Sequence, residues 1–357
     1  MQAATETRTS GNRLIHLDLL RILSIFAVVL LHTASGKLRD VSVASYAWTS
    51  FNFYDSLMRF CVPALVMISG VFFLNREIPL KKLYTKYILR IATAFVIWSA
   101  IYLAANLIVE ASNGTPLDLS PKRLLRDFIL APPHLWFLYM IACLYIVTPF
   151  LRAIVADRQR ALYFLILWFL IGVCFQTLSS LDGLKQFTSA LRGKMNLVLV
   201  TGYSGYYVLG DYLSKTKIRT GTELAVYFLG ALSAAFTVLS TQFLSLRADR
   251  LDDLFYKYMT PNVMMQTIAV FVLFQCRISK IAFSQRAARA ISYVSACTFG
   301  IYLIHMIVKA AFVSIGFDTL LFNPFLSVPA LAVAVSLVSF ACVALLRMIP
   351  YFGRHLK

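Results

Sequence analysis

The chain reads as long apolar blocks separated by short, polar and strongly basic stretches. Each block is close to 20 residues, the length that crosses roughly 30 Å of hydrocarbon as a helix. Ten can be drawn: Ile15–Ser35, Phe51–Leu74, Leu83–Val109, His134–Leu151, Ala161–Leu178, Leu197–Leu213, Glu223–Leu244, Thr260–Cys276, Ala290–Val313 and Phe325–Met348. A soluble core would show short amphipathic stretches instead. In lipid a segment must satisfy its own backbone groups, so blocks of this length mean helices. The pattern predicts an all-α polytopic membrane protein, a bundle of about ten transmembrane helices. The sixth block is the most breakable, because Gly202, Gly205 and Gly210 alternate there with Tyr203, Tyr206 and Tyr207.

Composition agrees and adds an orientation. Of 357 residues, 59% are hydrophobic and 14% charged, where soluble domains carry about a quarter charged. One side of the ten blocks collects Arg8, Arg13, Arg76, Lys81, Lys82, Lys86, Arg90, Arg152, Arg158, Arg160, Lys215, Lys217, Arg219, Arg277, Lys280, Arg286, Arg289, Arg347, Arg354 and Lys357. The other side holds roughly half as many cations and most of the acids, Asp40, Asp118, Asp182, Asp249, Asp252, Asp253 and Asp318 among them. The basic side is therefore expected to be cytoplasmic, with both termini there. The net charge of +18 belongs to this asymmetry and to anionic lipid headgroups, and calls for no nucleic acid. Residues 1–14 and 349–357 read as short cytoplasmic tails around one membrane domain, 15–348. Nothing at the start reads as a cleavable signal peptide, since Arg21 interrupts the first apolar block. The six cysteines lie inside the blocks without close pairs, and read as small buried hydrophobes rather than a disulfide framework or metal site.

Against this background each ionisable residue inside a block is a functional hypothesis. In the first block, Arg21 and His32 are eleven residues apart, about 20° off one helical face, with Asp18 within about 40° of His32. His32 lies about 16 Å from Arg21 towards the exterior. The blander reading is a cytoplasmic Asp18–Arg21 pair and an interfacial His32 that snorkels. In the second block, Asn52, Asp55 and Arg59 share a face, and the i,i+4 spacing pairs Asp55 with Arg59. The third opens with Lys81, Lys82, Lys86 and Arg90 among Tyr84 and Tyr87. That is ordinary anchoring except for Arg90, which sits a turn deeper, and such a cluster suits a phosphate-bearing ligand. The fourth begins Pro132-Pro133-His134-Leu135-Trp136, where Trp136 fits an aromatic belt or a platform for a sugar ring. The ninth carries Thr298, Tyr302, His305 and Lys309 as one polar stripe, which must face the bundle interior or a watery cavity. By counting along three separate helices, His32, His134 and His305 fall at one depth in the outer half.

These residues resemble the acyltransferase-3 family of integral membrane acyltransferases. The Arg21–His32 pair within DLLRILSIFAVVLLHTASG looks like the family's first-helix signature, and SLMRFCVPALVMISGVFFL resembles its second helix. HLWFLYMIACLYIVTPFLR resembles the subgroup containing the enterobacterial common antigen O-acetyltransferase, while GYSGYYVLGDYL and FGIYLIHMIV extend the match through most of the chain. The resemblance implies an enzyme that moves an acyl group, usually acetyl from acetyl-CoA, onto a carbohydrate hydroxyl, with His32 and Arg21 essential. It implies acyl-CoA as co-substrate with no permanently bound cofactor, a carbohydrate or lipid-linked glycan as acceptor, and a bacterial inner membrane as location, and it leaves a homo-oligomer open. Many members carry Arg-x-x-Arg at the start of the third helix. Here Tyr87 takes the first position, Arg90 the second, and Lys86 lies beside them to supply charge.

The chemistry fits, because neutral imidazole is the side chain best matched to deprotonating a hydroxyl near pH 7. Asp18 is too far along the helix to orient His32, so a partner must come from another helix, His134 or His305. Tyr302, Tyr206 or Arg59 would serve the developing oxyanion. No Ser or Cys stands out as nucleophile, which favours direct transfer. The rival reading is a glycan or metabolite exporter, since intramembrane charge and a breakable glycine-rich helix are also transporter features. The absence of repeat symmetry between the halves counts against it.

Overall fold

A computed structural model describes residues 14–181, 183–184, 188 and 201–349. It is built of helices, with no strand among the described residues: α1 (Ile15–Ser35), α2 (Tyr46–Met58), α3 (Cys61–Leu74), α4 (Leu80–Ser112), α5 (Pro121–Leu130), α6 (Trp136–Val155), α7 (Arg158–Leu178), α8 (Ser204–Ser214), α9 (Thr220–Ala248), α10 (Pro261–Cys276), α11 (Gln285–Ser314) and α12 (Pro324–Leu346). Among the described residues nine helical stretches, counting α2–α3 as one, are long and apolar enough to cross a membrane. The protein is thus an all-α, multi-pass membrane protein, as the apolar blocks predict. Of the sixth block, residues 197–200 lie outside the described residues, as do Arg8, Arg13, Asp182, Lys185, Arg192, Lys194, Arg354, Lys357 and most of both tails. From Ser204 the rest of that block lies in the 11-residue α8.

The helices sort by how much of each is covered. In the most apolar window of α1, 56% of residues are buried, and in that of α2–α3, 67%; the figure for α9 is 17%. So α1 and α3 form the centre and α9 the rim. Helix α1 packs against α2, α3, α10, α11 and α12. On α9, Leu224, Phe228, Leu232, Leu239 and Phe243 make an outward apolar face, while Gly230, Thr237, Thr241 and Ser245 turn inward. Small residues let helix backbones approach where no hydrophobic force drives them together.

Two local departures from a plain helix position the functional groups. The second block is not one helix: α2 ends at Met58, and α3 starts at Cys61 after a two-residue turn. Pro63 explains the break, because in a continuous helix it would leave the Arg59 carbonyl without its bond and its ring would clash there. In the first turn of a new helix the same proline costs nothing. The second departure is wider, π-type winding at Leu83–Ile88 in α4 and Trp168–Phe175 in α7. Such turns interrupt the usual i→i−4 ladder and shift the faces on which later side chains emerge.

Short α8 is wedged into the core, with every residue from Ser204 to Asp211 buried. It lies on α3 at backbone contact: a Cβ on Gly70 would stand 1.9 Å from the Tyr207 carbonyl oxygen, and one on Gly210 2.2 Å from that of Met67. The amphipathic α5 has no counterpart among the ten apolar blocks. It exposes Leu125, Ile129 and Leu130 beside Lys122, Arg123 and Arg126, the composition of a helix lying along a membrane interface.

Candidate active site

Three helices bring the three histidines of the outer half together. His32 comes from the last turn of α1, His134 from the single turn before α6, and His305 from the middle of α11. The His32 and His305 rings are centred 5.4 Å apart, His134 and His305 5.5 Å, and His32 and His134 6.4 Å. His134 and His305 are buried, and Tyr102 packs edge-on to His134 at 4.8 Å. The α11 stripe faces inward as its spacing requires, with Thr298, Tyr302 and His305 all buried. Lys309 Nζ donates to the His32 backbone carbonyl at 2.5 Å, joining the outer ends of α1 and α11.

The hydrogen bonds fix how one imidazole presents itself. His305 Nδ1 lies 2.7 Å from the Tyr302 carbonyl oxygen, which can only accept, so Nδ1 carries the proton. In the neutral ring the free lone pair is then on Nε2, and that atom is buried without a protein partner, as is His134 Nε2. A buried polar atom left unsatisfied costs about 1–3 kcal/mol. The two rings are neighbours, 5.5 Å apart, so their unpartnered nitrogens mark this cluster as the candidate site. Among the described residues no group of His, Cys, Asp and Glu is arranged to hold a metal ion.

The histidine level sits at a constriction between two chambers. On the basic side, a cavity of about 560 Å³ is lined by Arg21, Arg90 and Arg347, by Tyr87 and Tyr145, and by residues of α11. On the opposite side, a cavity of about 650 Å³ is lined by Arg39, Asp55, Arg59, Tyr203, Tyr256 and Tyr258 among others. Between them a slot of only about 40 Å³ touches His32, His134 and Cys61. Leu65, Phe137 and Tyr302 belong to the walls of both slot and basic chamber, and Tyr258 to those of both slot and outer chamber. The three spaces form a row through the bundle.

In the basic chamber Arg21 is held from behind. Its Nη1 lies 3.5 Å from Asp18 and 3.4 Å from the Ser295 hydroxyl, which itself donates to Asp18 at 2.6 Å. Asp18 therefore serves Arg21, and α1 displays its cation near one end and its imidazole near the other. Arg90 stacks over Phe299 at 5.2 Å. Lys86 does not join it: the side chain is exposed, 5.9 Å from the Tyr87 ring, and only Tyr87 and Arg90 of the expected set line the chamber. The reason is the π-type turn at Leu83–Ile88, which removes Lys86 from the face it would share with Arg90 at i,i+4 in an α-helix. Arg347, at the end of α12, is absent from the expected set, because a cation closing the last apolar block is indistinguishable in sequence from an ordinary anchor.

In the outer chamber Arg59 and the fully buried Asp55 form the expected ion pair, and the guanidinium lies 4.0 Å over the Tyr256 ring. Trp136 stacks on Tyr258 at 6.1 Å and leans on Tyr203 at 5.5 Å, a tiered aromatic wall between slot and chamber. Tyr206 is placed differently from the oxyanion role considered for it: fully buried, it donates its hydroxyl to the Tyr258 carbonyl at 2.6 Å and lines none of the three spaces. Tyr302 does line slot and basic chamber, yet its hydroxyl donates to the His134 carbonyl at 2.5 Å. Of the chamber's tyrosines, Tyr203 belongs to the glycine–tyrosine block, whereas Tyr256 and Tyr258 have no sequence signal of their own.

Outside the bundle, Lys37 pairs with Asp318 on the α11–α12 loop. The ammonium holds that carboxyl below the usual carboxylate range.

A family model described as an acyltransferase domain matches residues 14–347. Neither a curated protein nor a solved structure matches the chain.

Proposed function

Because the chain belongs to that acyltransferase family, whose model takes in every residue of the chambers and slot, we propose that it moves an acetyl group from cytoplasmic acetyl-CoA to a hydroxyl of a surface or lipid-linked carbohydrate. The observation that carries this reading is the row of three spaces, with His32 and His134 at its narrowest point. The donor enters the basic chamber, where Arg90 and Arg347 meet its phosphates by charge-assisted hydrogen bonds. Tyr87 offers an aromatic face where other family members carry arginine. The thioester reaches the slot beside His32, about 16 Å along α1 from Arg21. The acceptor approaches from the outer chamber, its sugar ring against Trp136 and Tyr258 and its hydroxyls towards Asp55 and Arg59. A glycan of the kind modified by the enterobacterial common antigen O-acetyltransferase is the acceptor class this chamber suits. The enzyme then sits in a bacterial inner membrane with its basic side in the cytoplasm.

Transfer needs one proton acceptor and one oxyanion donor. His32 takes the proton of the attacking hydroxyl as the new C–O bond forms. The tetrahedral intermediate collapses with cleavage of the C–S bond, and the departing CoA thiolate takes the proton back from the His32 imidazolium. His305, with its tautomer fixed, presents an accepting Nε2 beside His32 and holds that proton's alternative position. Since the Tyr302 and Tyr206 hydroxyls are engaged with carbonyls, the unpartnered Nε2 of His134, protonated in the Nε2–H tautomer, is the better candidate to donate to the oxyanion.

The row of cavities equally describes a conduit, which keeps the exporter as second reading. Protein reconstituted in vesicles, given labelled acetyl-CoA on the basic side and a glycan extract on the other, separates the two. The enzyme releases CoA thiol and labels the glycan, and His32→Ala does neither. Labelled glycan formed at the wild-type rate by His32→Ala would sink the catalytic assignment, and glycan crossing without acetylation would favour export.

A further inference from the structure

The slot is small enough to select its cargo, and the walls that bound it can be named. The slot offers about 40 Å³ where the flanking chambers offer about 560 and 650 Å³. As by far the narrowest of the three spaces, it suits a short acyl group better than a long one. Of its lining residues, Leu65, Phe137 and Tyr302 form the neck towards the basic chamber and Tyr258 the opening outward. Val28, Leu31 and Val62 line the slot and neither chamber, and all three are buried. Val28 stands one turn before His32 on the same face of α1, Leu31 adjoins it, and Val62 projects from the first turn of α3.

The helix that carries Val62 is anchored one to two turns further along, at Met67 and Gly70. Helix α3 is in backbone contact with α8 at Gly70 and Gly210, and packed interiors of this kind tolerate an added methylene poorly. The slot's far wall is therefore fixed in place. A longer acyl chain would have to displace it or back the thioester away from His32.

We infer that Val28, Leu31 and Val62 set the length of the transferred acyl group, restricting the enzyme to acetyl. This rests on the acyl-transfer reading above and adds to it the determinant of donor choice. A succinyl group, larger and charged, would have to bury its carboxylate among these apolar side chains, which is costlier still.

The test uses full-length protein in vesicles with acetyl-, propionyl-, butyryl- and succinyl-CoA in turn and a native membrane glycan extract as acceptor. Free CoA thiol and the mass of the acyl groups on the glycan are the readouts. Wild type should use acetyl about 100-fold or more better than butyryl, with propionyl between. Val62→Ala, and more so Val28→Ala with Val62→Ala, should narrow that ratio by about tenfold through a gain on butyryl. Val28→Leu, which fills the slot, should cut acetyl transfer while leaving the affinity for free CoA unchanged, a sign that the basic chamber and the fold are intact. The proposal is overturned if wild type transfers butyryl as readily as acetyl, or if the double variant binds CoA normally and keeps the wild-type ratio. Should wild type consume no acyl-CoA of any length, the acyl-transfer reading falls, and the length filter with it.

Discussion

The two chambers flanking the histidines are of similar size and unlike character. In the basic chamber Asp18 neutralises Arg21 from behind, while Arg90 and Arg347 have no carboxylate partner among the described residues. In the outer chamber the cations Arg39, Arg59 and Lys257 share their walls with Asp55 and Asp253, and Tyr203, Tyr256 and Tyr258 stand among apolar and small polar residues. Unbalanced guanidinium groups favour a polyanion, and a wall that mixes both signs of charge with aromatic rings and hydroxyls favours a polyol. The difference is what the proposed reading requires, a donor end and an acceptor end divided where the imidazoles meet.

The comparison breaks most sharply at its dividing line. His32→Ala should lower transfer by about 10²–10⁴-fold, the range for removing a general base, with CoA still bound. A variant that keeps the full rate would remove the distinction between the two ends.

A smaller effect should separate the chambers from each other. Arg90→Ala and Arg347→Ala each delete a charge-assisted contact worth about 1.5–3 kcal/mol. The KM for acetyl-CoA should rise by about 10- to 100-fold while that for the acceptor stays put. Lys86→Ala, outside the chamber, should change neither by more than about twofold; the variants behaving alike would mean that general basicity, not this chamber, holds the donor. Trp136→Ala should do the reverse, raising acceptor KM by about 2- to 10-fold, as loss of an aromatic stack does, and leaving donor KM alone.

The least effect is expected at the Lys37–Asp318 tie. A carboxyl whose folded pKa is depressed lends stability above its unfolded value, about 3.9, and loses it as pH falls through the lower folded value. An ion pair this accessible contributes at most about 1 kcal/mol. Melting midpoints of wild type should fall slightly more than those of Lys37→Met between pH 5 and pH 3, and parallel curves would show the tie to be without energy.

Much of this is legible from residue order. Hydrophobic length locates the membrane helices because lipid leaves a backbone no alternative. The i,i+4 rule finds Asp55–Arg59, and equal depth along three helices brings His32, His134 and His305 to one level. What escapes has a physical cause. Pro63 is visible in the sequence, yet whether a proline kinks or restarts a helix depends on packing, so residue order alone does not place the α2–α3 break. A helical wheel groups Lys86 with Arg90, and a π-type turn invalidates that wheel. Arg347 carries no mark distinguishing a ligand-facing cation from an anchor, and Tyr258 reaches its wall through a loop whose path has no periodicity. Tyr206 stands out as a polar group in a helix, but only its bond to the Tyr258 carbonyl reveals it as a support for that loop.

The contact of Gly70 with Tyr207, and of Gly210 with Met67, also dictates an order of assembly. Helix α3 enters the membrane early in synthesis, yet the surface it must cover belongs to a helix made much later. Until α8 emerges, the central helices wait in the bilayer with their seam open to lipid. The slot's rigid wall is therefore completed late, and a nascent chain interrupted before α8 would hold His32 without the enclosure around it.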